Sequence, residues 1–129
     1  MRVFKSKRFA KFARKERISD ASLCKAVKEA DAGMIDADYG SGVIKQRIAR
    51  PNEGKSGGYR SIILFRRGVR SFFVFGFAKS EQANIDASDE RDFKELARVL
   101  LAASEADLKK LIERGEFLEV HCDEQAQEI

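Results

Sequence analysis

Six basic side chains, Lys45, Arg47, Arg50, Lys55, Arg60 and Lys79, fall in a short stretch of the chain whose pattern can gather several of them. From Val43 to Arg50 the residues alternate, so Lys45 and Arg47 share one face of an extended strand with Val43 and Ala49, while Ile44, Gln46, Ile48 and Arg50 take the other. Arg60 alternates in phase with Ile62 and Leu64, which leaves its place open between the rim of a core and open solvent. Converging cations of this kind can clamp a phosphate and stabilise the charge that develops when a ribose 2′-hydroxyl attacks it. Crowding of like charges also favours the neutral amine, which would let one Lys act as a base. The same residues could equally form a passive basic patch that docks RNA without cutting it.

The elements around these residues follow from periodicity and punctuation. Lys5 to Arg17 reads as a short basic helix with Phe9, Phe12 and Ala13 on one side. Ser19 or Asp20 caps a second helix with an inward stripe of Leu23, Ala26, Val27 and Ala30, stopped at Gly33. Asp36 to Gly42 is turn-rich, and Pro51 to Gly57 is a loop. Tyr59 to Arg66 and Val69 to Lys79, joined by Arg67-Gly68, form an antiparallel hairpin. Its second strand, crowded by Phe72, Phe73, Val74, Phe75 and Phe77, must be central and covered by helices on at least one side. Ser88 and Ser104 can cap two further helices, and Phe117, Leu118 and Val120 suit a brief extended segment before a polar tail.

Composition limits the function classes. The 129 residues are one domain's worth of chain, 43% hydrophobic and 36% charged. No apolar run approaches the ~20 residues of a membrane helix, and the basic start lacks the apolar stretch of a secretory signal, so a cytoplasmic protein without membrane contact is expected. On that ground Cys24 and Cys122 are expected to be free thiols. The net charge of +4 is divided: residues 1–80 carry 19 Lys and Arg against 7 Asp and Glu, and residues 81–129 carry 6 against 14. The positive part suits a polyanion such as nucleic acid.

Two motifs fail on context. Residues 49–56, Ala-Arg-Pro-Asn-Glu-Gly-Lys-Ser, approach a nucleotide phosphate loop, but a strand follows where a helix is required. His121 and Cys122 lack the companions a zinc site needs, so no metal or cofactor is expected.

Three segments together resemble the RelE/HigB superfamily of toxins from bacterial type II toxin-antitoxin systems: Phe9-Ala10-Lys11-Phe12-Ala13-Arg14-Lys15-Glu16, Gly54-Lys55-Ser56-Gly57-Gly58-Tyr59-Arg60, and Phe73-Val74-Phe75-Gly76-Phe77-Ala78-Lys79-Ser80-Glu81. The resemblance covers about residues 4 to 120. It implies an α+β fold in which two N-terminal helices pack on a small, mainly antiparallel sheet of three or more strands with a central hairpin, followed by C-terminal helices. The single domain would have a core at about 4–103, a helical extension at 104–120 and a tail at 121–129. The implied activity is metal-independent cleavage of messenger RNA on the ribosome by 2′-hydroxyl attack, held in check by a cognate antitoxin. The residues matched to that activity are Lys45, Arg47, Arg60, Lys79 and Glu81 as the catalytic set, with Arg50, Lys55 and Tyr59 in RNA binding. Lys45 is the first candidate for the general base and Glu81 the second. Ser80 stands where RelE-type relatives carry Arg, no Tyr follows Tyr59, and the histidines of HigB-type relatives are absent. These departures keep open a gyrase inhibitor of the ParE branch, or a module that binds nucleic acid without cutting.

Overall fold

The computed structural model describes residues 1–50 and 54–122, with side chains for 1–49 and 58–122. In chain order the elements are β1 (Arg2–Ser6), α1 (Lys7–Lys15), α2 (Asp20–Asp31), β2 (Ala37–Gly40), β3 (Val43–Arg50), β4 (Gly54–Arg66), β5 (Arg70–Ala78), α3 (Ala87–Leu100), α4 (Glu105–Glu113) and β6 (Phe117–Val120). The strands form one mixed sheet in the order β2-β3-β4-β5-β1-β6, with β1 parallel to β5 and the other pairings antiparallel.

The α+β class is as expected, but a strand precedes the helices. Extended chain runs through Lys5, and helix α1 begins only at Lys7, where the Ser6 hydroxyl accepts from the Phe9 N–H. A β1 of five residues is too short to show its alternation, yet it fills the slot between β5 and β6. The turn-rich stretch after α2 is also a strand in large part. Segment β2 turns back into β3 through Gly40, Ser41 and Gly42, whose φ values are all positive at 86°, 55° and 83°. Glycine tolerates that backbone without steric cost, which is why the hairpin is dense in turn formers. Helix α3 starts earlier than Ser88 suggested, because the Asp86 carboxylate caps it by accepting from the Asp89 N–H at 2.8 Å.

Both faces of the sheet are covered. On one face α1 and α2 bury Phe9, Ala13, Leu23, Val27 and Ala30 against Ile44, Ile48, Tyr59, Ile63 and Phe73. On the other, α3 and α4 bury Ala97, Leu100 and Leu108 against Val43, Ile62, Leu64, Phe72 and Val74. This explains the nearly unbroken apolar run of β5, a central strand that feeds two cores. A bulge lets it do so: Ile62 pairs with Phe75 and Ile63 with Phe73, leaving Val74 as the extra residue. Gly76 admits the ring of Phe12 from α1, since a Cβ there would lie 2.4 Å from Phe12 Cε2.

The expectation of free thiols is overturned. Cys24 on α2 and Cys122 just past β6 form a disulfide across 98 positions, with Cα atoms 5.6 Å apart. Pairing of β6 with β1 carries the end of the described chain back over α2, and sequence separation gave no hint of that return. The unreduced protein should therefore show no alkylatable thiol, and reduction should lower its stability by about 2–4 kcal/mol. Mass spectrometry after iodoacetamide treatment, with denaturant melts in the presence and absence of reductant, checks both. Gly76→Ala should cost about 1–3 kcal/mol through overpacking against Phe12, read as a lower denaturant midpoint.

Candidate functional site

The pleat of β3 delivers Lys45 and Arg47 to the sheet face that carries Val43, as the alternation required. On the neighbouring strand Arg60 lies directly opposite Arg47, and Ile62 opposite Lys45. Like charges set directly across a ladder repel. The repulsion is relieved by Asp36, which sits at the entrance to β2. Its Oδ1 is 3.1 Å from Arg47 Nε, and its Oδ2 is 3.3 Å from Arg60 Nε and 3.8 Å from Lys45 Nζ. Three cations thus share one carboxylate.

Asp36 is itself held from the other side of β3. Its backbone N–H donates to Gln46 Oε1 at 3.1 Å, while Gln46 Nε2 donates to the carbonyls of Ala26 and Met34. The buried Gln46 therefore ties α2 and the segment before β2 to the strand that bears Lys45 and Arg47. Beside this junction is a cleft of about 400 Å³ lined by Glu29, Gly33, Met34, Ile35, Asp36, Gln46 and Arg47.

The loop after β5 closes over Lys45. The Lys45 ammonium donates to the Ala83 carbonyl at 3.3 Å and to Asn84 Oδ1 at 3.0 Å, and Tyr39 on β2 donates its hydroxyl to the same Asn84 oxygen at 2.7 Å. Burial, and after it the negative charges of Glu90 and Asp36, raise the Tyr39 phenol above its ordinary pKa. Exposure differs sharply across the cluster. The side chains of Arg60, Lys45 and Asp36 are 6%, 13% and 13% exposed, against 49% for Arg47. Arg47 is the arm that reaches solvent, and Arg60 is a covered charge at the rim of the second core.

The other expected site residues are placed differently. Lys79 and Glu81 lie on the exposed turn after β5, and no described contact joins either to the Asp36 cluster. Tyr59 does not share the face of Arg60. It is buried beneath α1, with its ring edge-on to Phe12 and its hydroxyl donating to Glu16 Oε1 at 2.9 Å. A residue adjacent in a strand must point the opposite way, so the period of two already separates Tyr59 from Arg60. The side chains of Arg50 and Lys55 lie outside the described residues. Asp36, Tyr39 and Asn84 were missed by sequence reasoning. Each sits in a stretch rich in turn formers, and nothing local distinguishes them from ordinary loop residues.

Of the near phosphate-loop residues 49–56, the described ones belong to the end of β3 and the start of β4, so a strand stands where a phosphate loop requires a helix. Among the described residues no group of three or more His, Cys, Asp or Glu could hold a metal ion, and no helix is long and apolar enough to cross a membrane.

No curated protein matches the chain. The family model described as "RelE toxin of RelE / RelB toxin-antitoxin system" matches residues 1–120, which takes in every element from β1 to β6 and the whole Asp36 cluster. The chain belongs to the RelE toxin family.

Proposed function

We propose that this RelE-family chain is the toxin of a type II toxin-antitoxin pair and that it cleaves messenger RNA on the ribosome, in the cytoplasm, under the control of a cognate antitoxin. The observation that carries the proposal is the convergence of Lys45, Arg47 and Arg60 within reach of a single anionic group. A scissile phosphate brought to the same ground would meet two guanidiniums and an ammonium.

In the proposed reaction the ribose 2′-oxygen forms a bond to phosphorus and the bond from phosphorus to the 5′-oxygen breaks. The 2′-hydroxyl proton leaves to a base and the 5′-oxygen takes one up. The products are a 2′,3′-cyclic phosphate and a 5′-hydroxyl. Negative charge accumulates on the non-bridging oxygens, where preorganised donors are most effective. Arg47 reaches out to engage the phosphate, whereas Arg60, in a drier position, stabilises the charge that builds up on it. Lys45 adds a third positive charge held by the Ala83–Asn84 loop. Lys79 and Glu81, on the turn that begins this loop, are proposed to contact RNA on its approach, Glu81 also serving as an acceptor for the 2′ proton. Arg50 and Lys55 are proposed to bind RNA as well.

Replacing Arg60 by Lys keeps the charge but loses the planar fork. The variant should melt like the parent and cleave about 100-fold more slowly, measured by mapping transcript 5′ ends on translating ribosomes. Cleavage in codon register by the parent supports the proposal. Loss of DNA supercoiling without RNA cleavage would instead favour a ParE-like inhibitor, and neither effect would leave a module that only binds. The double variant Lys45→Gln/Arg47→Gln should bind an RNA oligonucleotide more weakly, with a salt slope shallower by about two phosphate contacts. An unaltered slope in filter binding would move the RNA surface elsewhere.

A further inference from the structure

The two oxygens of Asp36 are divided among the cations in a way that suits a task beyond charge balance. Oδ1 accepts a hydrogen bond from Arg47 Nε at 3.1 Å, whereas Oδ2 pairs with Arg60 Nε at 3.3 Å as an ion pair without a hydrogen bond, and Lys45 is held more loosely at 3.8 Å. A guanidinium gripped at Nε has its plane fixed while its terminal nitrogens remain available as donors. Among the described residues the terminal nitrogens of Arg47 have no partner, and those of Arg60 make only a long 3.4 Å bond to the Tyr59 carbonyl. Asp36 cannot easily drift, since its own backbone is tied through Gln46 to α2. The carboxylate is also a negative charge placed where an incoming phosphate must approach, so it opposes ground-state binding while it orders the donors.

We infer that Asp36 is a positioning residue of the RNA-cleaving site: it locks the Arg47 guanidinium with its terminal nitrogens left for a phosphodiester, holds Arg60 beside it by charge, and weakens resting RNA affinity in doing so. The inference rests on the proposed cleavage activity. It differs from a purely structural role, because removing a structural carboxylate would lower stability, binding and rate together. Removing Asp36's charge should move binding and rate in opposite directions.

Asp36→Asn is the decisive variant. The amide offers one accepting oxygen and places a donor where the second oxygen stood, so one guanidinium is released while the cluster gains a net positive charge. In the full-length protein, binding of a non-cleavable 2′-deoxy-substituted RNA oligonucleotide should tighten several-fold with a steeper salt slope. Cleavage on translating ribosomes should fall by about 10- to 100-fold. Asp36→Glu keeps the charge but displaces it by one methylene, so it should bind the oligonucleotide like the parent and cleave more slowly. Unchanged or weaker oligonucleotide binding in a folded Asp36→Asn protein would overturn the inference, as would a parental cleavage rate in either variant. The binding arm separates this failure from that of the activity itself. If the parent leaves ribosomal messenger intact, the cleavage reading falls, whereas tightened binding by Asp36→Asn would still identify Asp36 as the internal counter-charge of an RNA site.

Discussion

Three positive side chains can stand on neighbouring strands at the edge of an apolar core only if something offsets their repulsion, and here that burden falls on one carboxylate. Arg47 and Arg60 are direct cross-strand neighbours, and Arg60 is almost fully covered. A covered guanidinium without a counter-charge costs several kcal/mol. Asp36 supplies the counter-charge, yet it leaves the cluster of three cations with an excess of positive charge. The result is a cluster whose internal repulsion is relieved while its net charge stays positive.

That single carboxylate depends in turn on much of the fold. Gln46 reaches through the opposite face of β3 to the last turns of α2 and to Met34, fixing the backbone from which Asp36 projects. The α2 helix is held by the first core, and that core by Phe12 seated over Gly76 and edge-on to Tyr59. Tyr59, expected to face RNA, thus contributes from beneath. It anchors α1 to the strand on which Arg60 stands. From the other side, the Ala83–Asn84 loop and Tyr39 confine Lys45, and Ile85 roots that loop in the second core.

How much of this could be read from the chain follows from the range of the interactions involved. The shared face of Lys45 and Arg47 was legible because a period of two is a local property, whereas Arg60's in-phase apolar neighbours left its place ambiguous until the packed sheet set it at the core rim. The hairpin of β4 and β5 and the two-sided burial of β5 were equally local, written in phenylalanines and a glycine turn. Strand β1 was hidden because five residues with basic ends carry too little pattern, and β2 because Asp, Gly and Ser are read first as turn formers. Asp36 was illegible for a different reason. Its importance lies entirely in partners 9 to 24 positions away that meet only when the β2–β3 hairpin closes beside β4. The Cys24–Cys122 bond has the same character at greater range, and an argument from compartment chemistry could not anticipate a proximity created by β6.

The division of charge along the sequence becomes a division in space with a consequence for how a polyanion approaches. The acidic part is not a remote tail, because α3 packs on the same sheet face as the cluster, and its Glu90 acts on Tyr39 beside Lys45. That side of the cluster is bordered by negative charge. The basic helix α1 covers the opposite face at the level of Arg60, with Phe12 against Gly76, while its Arg8 reaches to the Phe75 ring, 4.5 Å away, which packs on the side of the second core. Among the described residues, none of Lys7, Arg8, Lys11, Arg14, Lys15 and Arg17 enters a salt bridge. The electrostatic field is thus positive toward the sheet end where Arg47 projects and opposed on the side of α3. The same arrangement is consistent with a net charge of only +4: most negative residues lie in the second part of the sequence, and a single one, Asp36, stands among the three cations.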